Sequence, residues 1–357
     1  MPTPRRSRRR ARGMSLVELM VSIVIALLIG LAAAGSAQMF SASQRTGIGA
    51  GGSSAAVNTV LTSIKNDLSQ GGLGFFGDAQ YMCTTMNLSV GANMVSDGAA
   101  FSPMRIVRSG NLDVVDVVYG NAVESGANIL LNSTSDTTEA ALMSLLPASL
   151  GQAVLIAPAQ TAGPGPCTIR SITATTVPTE TTPQQLTFAD NGDNSTHNQL
   201  GFTAVPAYPS RGRVTLLGAL QWNRYRVSGT DLVVDQQLTG NTGTLLRNVL
   251  AFRVQYGVSA NQLNSTTLDS WVDGDDPNFA NLTSVNMPRV RALRIGIVTR
   301  STQRDKPDAN GDCSATTDKP TLFGNVVEPD VTDWQCWRFR SAVVIVPLRN
   351  MVMGTRS

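Results

Sequence analysis

The feature that most limits what this chain can fold into is an apolar run near its start. Residues 14–35, MSLVELMVSIVIALLIGLAAAG, have Ser15, Glu18 and Ser22 as their polar side chains. At ~1.5 Å per residue, a helix of this length crosses a hydrocarbon layer of ~30 Å. The run therefore predicts a transmembrane helix over residues 14–35, and no second run of this kind follows in the sequence.

Positive charge is concentrated before this run. Residues 1–13 contain six arginines and no acidic residue, which predicts that this end stays cytoplasmic and that the rest of the chain is delivered across the membrane. Without these six cations the formal charge of +3 becomes −3, so the remaining chain is mildly acidic. A nucleic-acid partner is not predicted, because binding phosphates requires clustered cations on the folded part. The six are Arg5, Arg6, Arg8, Arg9, Arg10 and Arg12.

The boundary between the basic end and the apolar run has a specific pattern. Gly13 ends the basic segment, Met14 begins the run, and Glu18 follows four residues later. This arrangement resembles the type IV prepilins, whose peptidase cuts after the glycine and whose new N-terminus is usually methylated. The resemblance implies removal of residues 1–13 as a leader peptide. An uncleaved anchor and secretory cleavage near AAAGSA, residues 32–37, remain alternatives.

Glu18 is unusual because a carboxylate in an apolar helix needs a partner. Insertion scales assign such a charge a cost of roughly 2.5 to 3.5 kcal/mol. After cleavage Met14 would carry a free ammonium group, and Glu18 of a neighbouring subunit could pair with it where water is excluded. This hypothesis makes Glu18 an assembly residue. The alternative is that the Glu18 side chain extends to the lipid headgroups.

Residues 36–72 are predicted to form an amphipathic helix that packs on a folded body. Within them, GIGAGG at residues 47–52 predicts a flexible break, because glycine disfavours helix. The same hexapeptide matches G-x-G-x-x-G, but no strand precedes it, so no dinucleotide cofactor is predicted. Apolar residues recur at helical spacing along one face after the break: Val57, Val60, Leu61, Ile64 and Leu68.

Residues 73–357 are predicted to form a β-rich body that lies in the periplasm. Short alternating runs separated by turn residues indicate a largely antiparallel sheet, with a short helix at residues 133–151 and excursions at 173–185 and 259–284. The candidate strands are Met104–Val107, Leu112–Tyr119, Ala153–Ala157, Cys167–Thr173, Val214–Val227, Leu232–Asp235, Val249–Tyr256, Val290–Val298 and Trp337–Val346.

The four cysteines fit a chain exported to an oxidising compartment. Four cysteines allow three pairings. The sequence favours Cys313 with Cys336, which closes a local loop, and therefore Cys83 with Cys167. No C-x-x-C occurs, so a zinc site is not predicted.

Other candidate sites are weaker. DANGDC places Asp308, Asn310 and Asp312 like the first ligands of a calcium loop, but Cys313 and Lys319 stand where glycine and glutamate are needed. The only histidine, His197, lies in a polar loop away from any cysteine in sequence. No catalytic pattern is present, so an enzyme is not predicted and a membrane-anchored periplasmic enzyme is the alternative class.

The C-terminal segments NVLAFRVQYGV, VRALRIGIVTRS and WRFRSAVVIVPLRNM resemble the terminal strands of PilW-like minor pilins. The resemblance implies an α+β, pilin-like fold: a long N-terminal α-helix, half of it transmembrane, packed on an antiparallel β-sheet with loop insertions. Residues 85–210 carry no such resemblance.

This resemblance also implies a structural role in type IV pilus assembly. The chain would lie in the bacterial inner membrane, in contact with its lipid, until it enters the pilus at the cell surface. Its implied partners are the prepilin peptidase, other minor pilins, the major pilin and a tip adhesin, in a complex that primes assembly. A minor pseudopilin of type II secretion is the nearest alternative, because it shares leader and fold.

Overall fold

A computed structural model describes most of the chain, and the chain divides into two compact units, residues 1–53 and residues 54–357. The described residues are 16–75, 83–122, 129–133, 138–158, 166–203, 208, 210–260, 267–282, 286–308 and 310–353.

Helix α1 (Leu16–Ser69) is 54 residues long. The break predicted at residues 47–52 is wrong, because the backbone is helical throughout that segment. Each glycine disfavours helix by only about 1 kcal/mol relative to alanine, and helix formation is cooperative, so helical neighbours on both sides can offset this cost.

In the first unit, the described apolar side chains of α1 are exposed. Leu16 and Leu31 are 75% and 78% exposed, which is far outside the range of a packed core. The described side chains of this part of α1 therefore form no packed core. The other exposed apolar residues are Val17, Leu19, Met20, Val21, Ile23, Val24, Ile25, Leu27 and Ile29.

The second unit contains the last turns of α1, twenty described strands and a short helix, α2 (Arg349–Met353). The strands are β1 (Thr85–Val90), β2 (Asn93–Ala100), β3 (Met104–Val107), β4 (Val114–Gly120), β5 (Ile129–Leu130), β6 (Glu139–Leu142), β7 (Ala153–Ala157), β8 (Cys167–Ser171), β9 (Ala174–Thr175), β10 (Gln184–Thr187), β11 (Arg213–Gly218), β12 (Leu220–Ser228), β13 (Asp231–Gln236), β14 (Asn241–Leu246), β15 (Val249–Val258), β16 (Ser270–Asp273), β17 (Val290–Arg300), β18 (Thr321–Leu322), β19 (Asn325–Val326) and β20 (Phe339–Pro347).

These strands form several sheets. Their orders are β2-β1-β8-β7-β11-β5, β6-β10-β9, β14-β13-β12-β4-β3, β16-β15-β17-β20 and β18-β19. Among the described strands, β1 and β8 pair in parallel and the other neighbouring strands are antiparallel. The prediction of a helix and extensive antiparallel sheets is confirmed.

The strand predicted over Val214–Val227 is two strands in two different sheets. β11 belongs to the six-stranded sheet and β12 to the five-stranded sheet. Between them, Gly218 has a φ of +70°, a left-handed conformation that glycine adopts without strain. The sequence predicts one continuous strand here because Gly218 and Ala219 are the only residues between the two β-rich segments.

The helix predicted at residues 133–151 is wrong over its described part. β6 occupies Glu139–Leu142, and its burial alternates, with Ala140 and Leu142 buried and Glu139 exposed. Pairing with β10, in which Leu186 lies opposite Ala140, overrides the helix propensity of these residues. The excursions predicted at 173–185 and 259–284 also contribute strands, β9 with the start of β10 and β16 respectively.

Candidate functional site at the helix-to-sheet junction

The residues predicted to govern processing lie at the edge of what the structure describes. Gly13 and Met14 fall outside the described residues. Glu18 lies in α1, where its backbone is helical. Their roles in cleavage and assembly stay predictions.

The membrane-spanning half of α1 also stays a prediction. In the part of the chain that the structure describes, no helix is long and apolar enough to cross a membrane.

Within the second unit, the last turns of α1 pack on two sheets through the predicted apolar stripe. Ile64 and Leu68 are fully buried, and Val57, Val60 and Leu61 are at most 9% exposed. They share one core with residues of the five-stranded and four-stranded sheets, among them Val117 of β4, Tyr256 of β15 and Val346 of β20. The spacing of this stripe therefore positions the helix on the body.

Asp67 fixes the helix to the five-stranded sheet by hydrogen bonds. Its Oδ1 accepts a hydrogen bond from the Tyr119 hydroxyl of β4. Its Oδ2 accepts hydrogen bonds from the Tyr225 hydroxyl at 2.6 Å and from the Asn223 amide at 3.0 Å, both from β12. Burial raises the pKa of Tyr119 and of Tyr225, and the Asp67 carboxylate raises both further. Both hydroxyls are therefore protonated donors at neutral pH.

We expect Asp67→Ala to destabilise the body. The substitution removes the acceptor for three donors, two of them on largely buried tyrosines, and an unsatisfied buried donor costs about 1 to 3 kcal/mol, so the total should be on the order of 2 to 4 kcal/mol. Urea unfolding of the purified protein in mild detergent measures this change. Lys65→Ala, at an exposed position on the same helix, is the control and should shift stability by less than about 0.5 kcal/mol. Equal stability of the two variants would contradict the role of Asp67.

The C-terminal end of α1 is held by hydrogen bonds from α2. Asn350 of α2 donates hydrogen bonds from Nδ2 to the carbonyl oxygens of Ser69 at 3.4 Å and Gln70 at 3.2 Å. On either side of it, Leu348 and Met351 are buried in the core shared with α1. Carbonyl groups at a helix end lack intrahelical partners, so this contact supplies donors that the helix itself cannot. The segment VPLRNM thus holds the helix in place.

Two glycines allow the chain to turn from α1 into the sheets. Gly72 has a φ of +79° and donates its N–H to the carbonyl oxygen of Val118 at 3.0 Å. A Cβ at Gly71 would lie 2.5 Å from Cε of Met104. A side chain at Gly72 would therefore strain the backbone, and one at Gly71 would displace the Met104 side chain.

A second polar cluster joins β15 and β16 to the segment before β4. The Asp113 carboxylate accepts hydrogen bonds from Nε of Arg253 at 3.2 Å and from the N–H of Val254 at 2.8 Å. Asp273 lies 3.1 Å from Arg253 and 2.7 Å from Arg108. Burial raises the pKa of Asp113, against the opposing effect of these donors. The cluster anchors the four-stranded sheet, and it was not foreseen because its members are far apart in sequence.

Two disulfide bonds are present, in the pairs that the sequence favours. Cys83 is bonded to Cys167, and Cys313 to Cys336. The first lies where β1 and β8 pair in parallel, with Met86 opposite Cys167. The second closes a local loop just before β20. All four cysteines of the chain are used.

The calcium candidates are engaged in a turn. The Asp308 side chain accepts hydrogen bonds from the backbone N–H groups of Asn310 and Asp312, each at 2.9 Å. No group of three metal-ligating side chains occurs in the described ranges. His197 is buried, and its Nδ1 lies 2.7 Å from the carbonyl oxygen of Ser89. Burial lowers the pKa of His197, which fits a structural role for a neutral imidazole.

Two family models match the chain. Residues 8–34 match the prokaryotic N-terminal methylation motif, and residues 219–350 match the type IV pilus-assembly protein W family. No curated protein matches the chain. Among solved structures, a type IV-like pilin from Thermus thermophilus is similar with a TM-score of 0.34 and 10% identity, over 84% of this chain and 97% of that one.

The two sequence matches coincide with features described above. The first covers the predicted cleavage residues and the start of α1. The second runs from the start of β12, which supplies Tyr225 and Asn223 to the junction, to Asn350, which holds the helix end. Over these two regions the chain is therefore similar to the PilW-like proteins of type IV pilus assembly.

Proposed function

We propose that this chain is a structural minor pilin that joins other minor pilins in a complex that primes type IV pilus assembly. The observation that carries the proposal is the presence of the methylation motif and the pilus-assembly protein W region in one chain. In the proposed role, Asp67, the apolar stripe and Asn350 hold the β-rich body on the last turns of α1. A force on these turns is then passed to the body.

The proposal includes processing and membrane insertion. The prepilin peptidase cuts between Gly13 and Met14, and residues 14–35 hold the protein in the inner membrane with the body in the periplasm. The composition of residues 14–35 and the arginines before them support this arrangement. Glu18 then pairs with the Met14 ammonium group of a neighbouring subunit during incorporation. The domain limits proposed are 1–13, 14–35, 36–72 and 73–357.

Deletion of the gene tests the proposed function. We expect loss of most surface pili, measured by shearing and electron microscopy, because a priming complex acts before the filament grows. Secretion of type II substrates should be unchanged in the same strain. Complementation with the wild-type gene is the control. Normal piliation with defective secretion would overturn the proposal in favour of a pseudopilin, and normal piliation with normal secretion would overturn it outright.

A further inference from the structure

Strand β20 lies at the edge of the four-stranded sheet β16-β15-β17-β20. It pairs with β17 in an unbroken register from Phe339 opposite Arg300 to Pro347 opposite Ala292. Its inner face contributes Val346 to the core shared with α1, and Ala342 and Val344 pack against that core. The other long edge of β20 has no neighbouring strand among the described residues.

The hydrogen bonds at both ends of β20 show which main-chain groups face this free edge. The N–H of Ser301 donates to the carbonyl oxygen of Arg338 at 2.8 Å, and the N–H of Leu348 donates to that of Arg291 at 2.9 Å. Both bonds fit the register of β20 with β17. In an antiparallel pair, hydrogen-bonded and non-hydrogen-bonded positions alternate. The main-chain groups of Ser341, Val343 and Ile345 therefore point away from β17.

These outward groups have no backbone partner in the described ranges. The Ser341 hydroxyl donates to the carbonyl oxygen of Thr321 at 3.0 Å, which places the β18-β19 hairpin at the start of the edge. Beyond it, Val343 and Ile345 are each 52% exposed. An N–H and a C=O on each of these two residues are thus available beside an exposed apolar side chain.

Natural sheets protect their edges with charges, bulges or prolines within the strand. β2, at the edge of the six-stranded sheet, has Asp97 and irregular register with β1. β20 has no charged residue between Arg340 and Arg349, no register shift, and a proline only as its last residue. An unprotected edge of this kind binds another strand readily. Because the folded body keeps this edge without a protecting feature, we expect a partner to cover it.

The charges at the two ends of β20 identify the chemistry of that partner. Arg340 and Arg349 are exposed and have no ion pair with the residues that the structure describes. A second copy pairing antiparallel through the same edge would bring Arg340 of one chain towards Arg349 of the other at both ends. Like charges placed close together across strands are unfavourable. A segment with a carboxylate at each end would instead meet an arginine at both.

We infer that the free edge of β20 binds an extended segment of a partner protein by β-strand addition. The segment has β-branched residues at alternate positions, which pack beside Val343 and Ile345, and a carboxylate at each end, which pairs with Arg340 and Arg349. The inference goes beyond the proposed function and does not rest on it, because peptide binding by extracted protein requires neither processing nor incorporation into a pilus.

A labelled peptide tests this inference on the full-length protein in mild detergent. The probe is a fluorescein-labelled Asp-Thr-Val-Thr-Val-Thr-Val-Asp, and the comparison peptide has lysine in place of both aspartates. Fluorescence anisotropy should show binding of the acidic probe, weakened at least tenfold by Val343→Lys. Val177→Lys, at an exposed position next to β9 in a different sheet, should bind like wild type. Circular dichroism should show that both variants fold.

Reversing the end charges gives the sharper result. The double variant Arg340→Glu with Arg349→Glu should prefer the lysine peptide by at least tenfold, whereas wild type prefers the acidic probe. The inference is overturned if wild type binds neither peptide, or if Val343→Lys binds the probe as tightly as wild type. A wild-type dimer that Val343→Lys abolishes would overturn it too, because the occupant would then be a second copy.

Discussion

Glu18→Ala is expected to abolish most surface pili while leaving the protein in the membrane at normal amounts. Removing a carboxylate from an apolar helix makes insertion easier by up to roughly 2.5 to 3.5 kcal/mol, so membrane levels should not fall. The body should fold normally, because the contacts of Asp67 and the apolar stripe with the sheets lie within residues 54–357. What should be lost is the ion pair with the Met14 ammonium group of a neighbour, which is strongest where water is excluded.

Glu18→Gln separates charge from size in the same experiment. It keeps the length and a polar acceptor of glutamate but loses the negative charge, so we expect piliation close to that of Glu18→Ala. Ser22→Ala, in the same apolar run, is the matched control for a polar side chain without charge and should leave piliation normal. Normal piliation by Glu18→Ala, in a strain where gene deletion abolishes pili, would show that the carboxylate only extends to the headgroups.

Removal of the Cys83–Cys167 disulfide is expected to have the largest effect on the stability of the body. A bond restricts the unfolded chain more when it closes a longer loop. The separation is 84 residues for Cys83–Cys167 and 23 residues for Cys313–Cys336. The chain-entropy model then gives losses of about 4.6 and about 3.4 kcal/mol respectively.

Two double variants measure these losses: Cys83→Ala with Cys167→Ala, and Cys313→Ala with Cys336→Ala. Each removes one bond without leaving a free thiol, so neither allows disulfide exchange. Urea unfolding of the full-length protein in mild detergent gives the change for each. A larger loss for the Cys313 and Cys336 variant would contradict the loop-length argument. It would indicate that the bond next to β20 acts by holding local native structure.

The parts of the fold that periodicity specifies could be predicted from the sequence. The stripe from Val57 to Leu68 repeats at helical spacing and is buried as expected. The alternation of Phe252, Val254 and Tyr256 with Ala251, Arg253 and Gln255 predicts β15 with one buried and one solvent-facing side. The first three residues are fully buried, but the other three are at most 8% exposed, so the predicted solvent-facing side is wrong. These elements can be predicted because each pattern depends on residues that are neighbours in sequence. Burial of one face is enough to select a helix or a strand.

The parts that depend on long-range pairing could not be predicted. Asp67 lies beside the apolar stripe in sequence, and only the folding of the sheets brings Tyr119 and Tyr225 to it. Its position three residues after Ile64, on the flank of the apolar stripe, was the available signal. β6 was assigned to a helix because Glu139–Leu142 has helix-forming residues, whereas its pairing with β10 decides the structure.

The mass of the mature N-terminal peptide tests the central claim most directly, because every proposed step of assembly follows from cleavage between Gly13 and Met14. Mass spectrometry of protein extracted from membranes and digested should find a peptide that begins at Met14 with an N-methyl group. Gly13→Val should leave the leader attached, since a branched side chain replaces the small residue at the cleavage site. A mature chain that begins with Met1, or after the AAAGSA segment at residue 38, would contradict the assignment of this chain as a processed pilin.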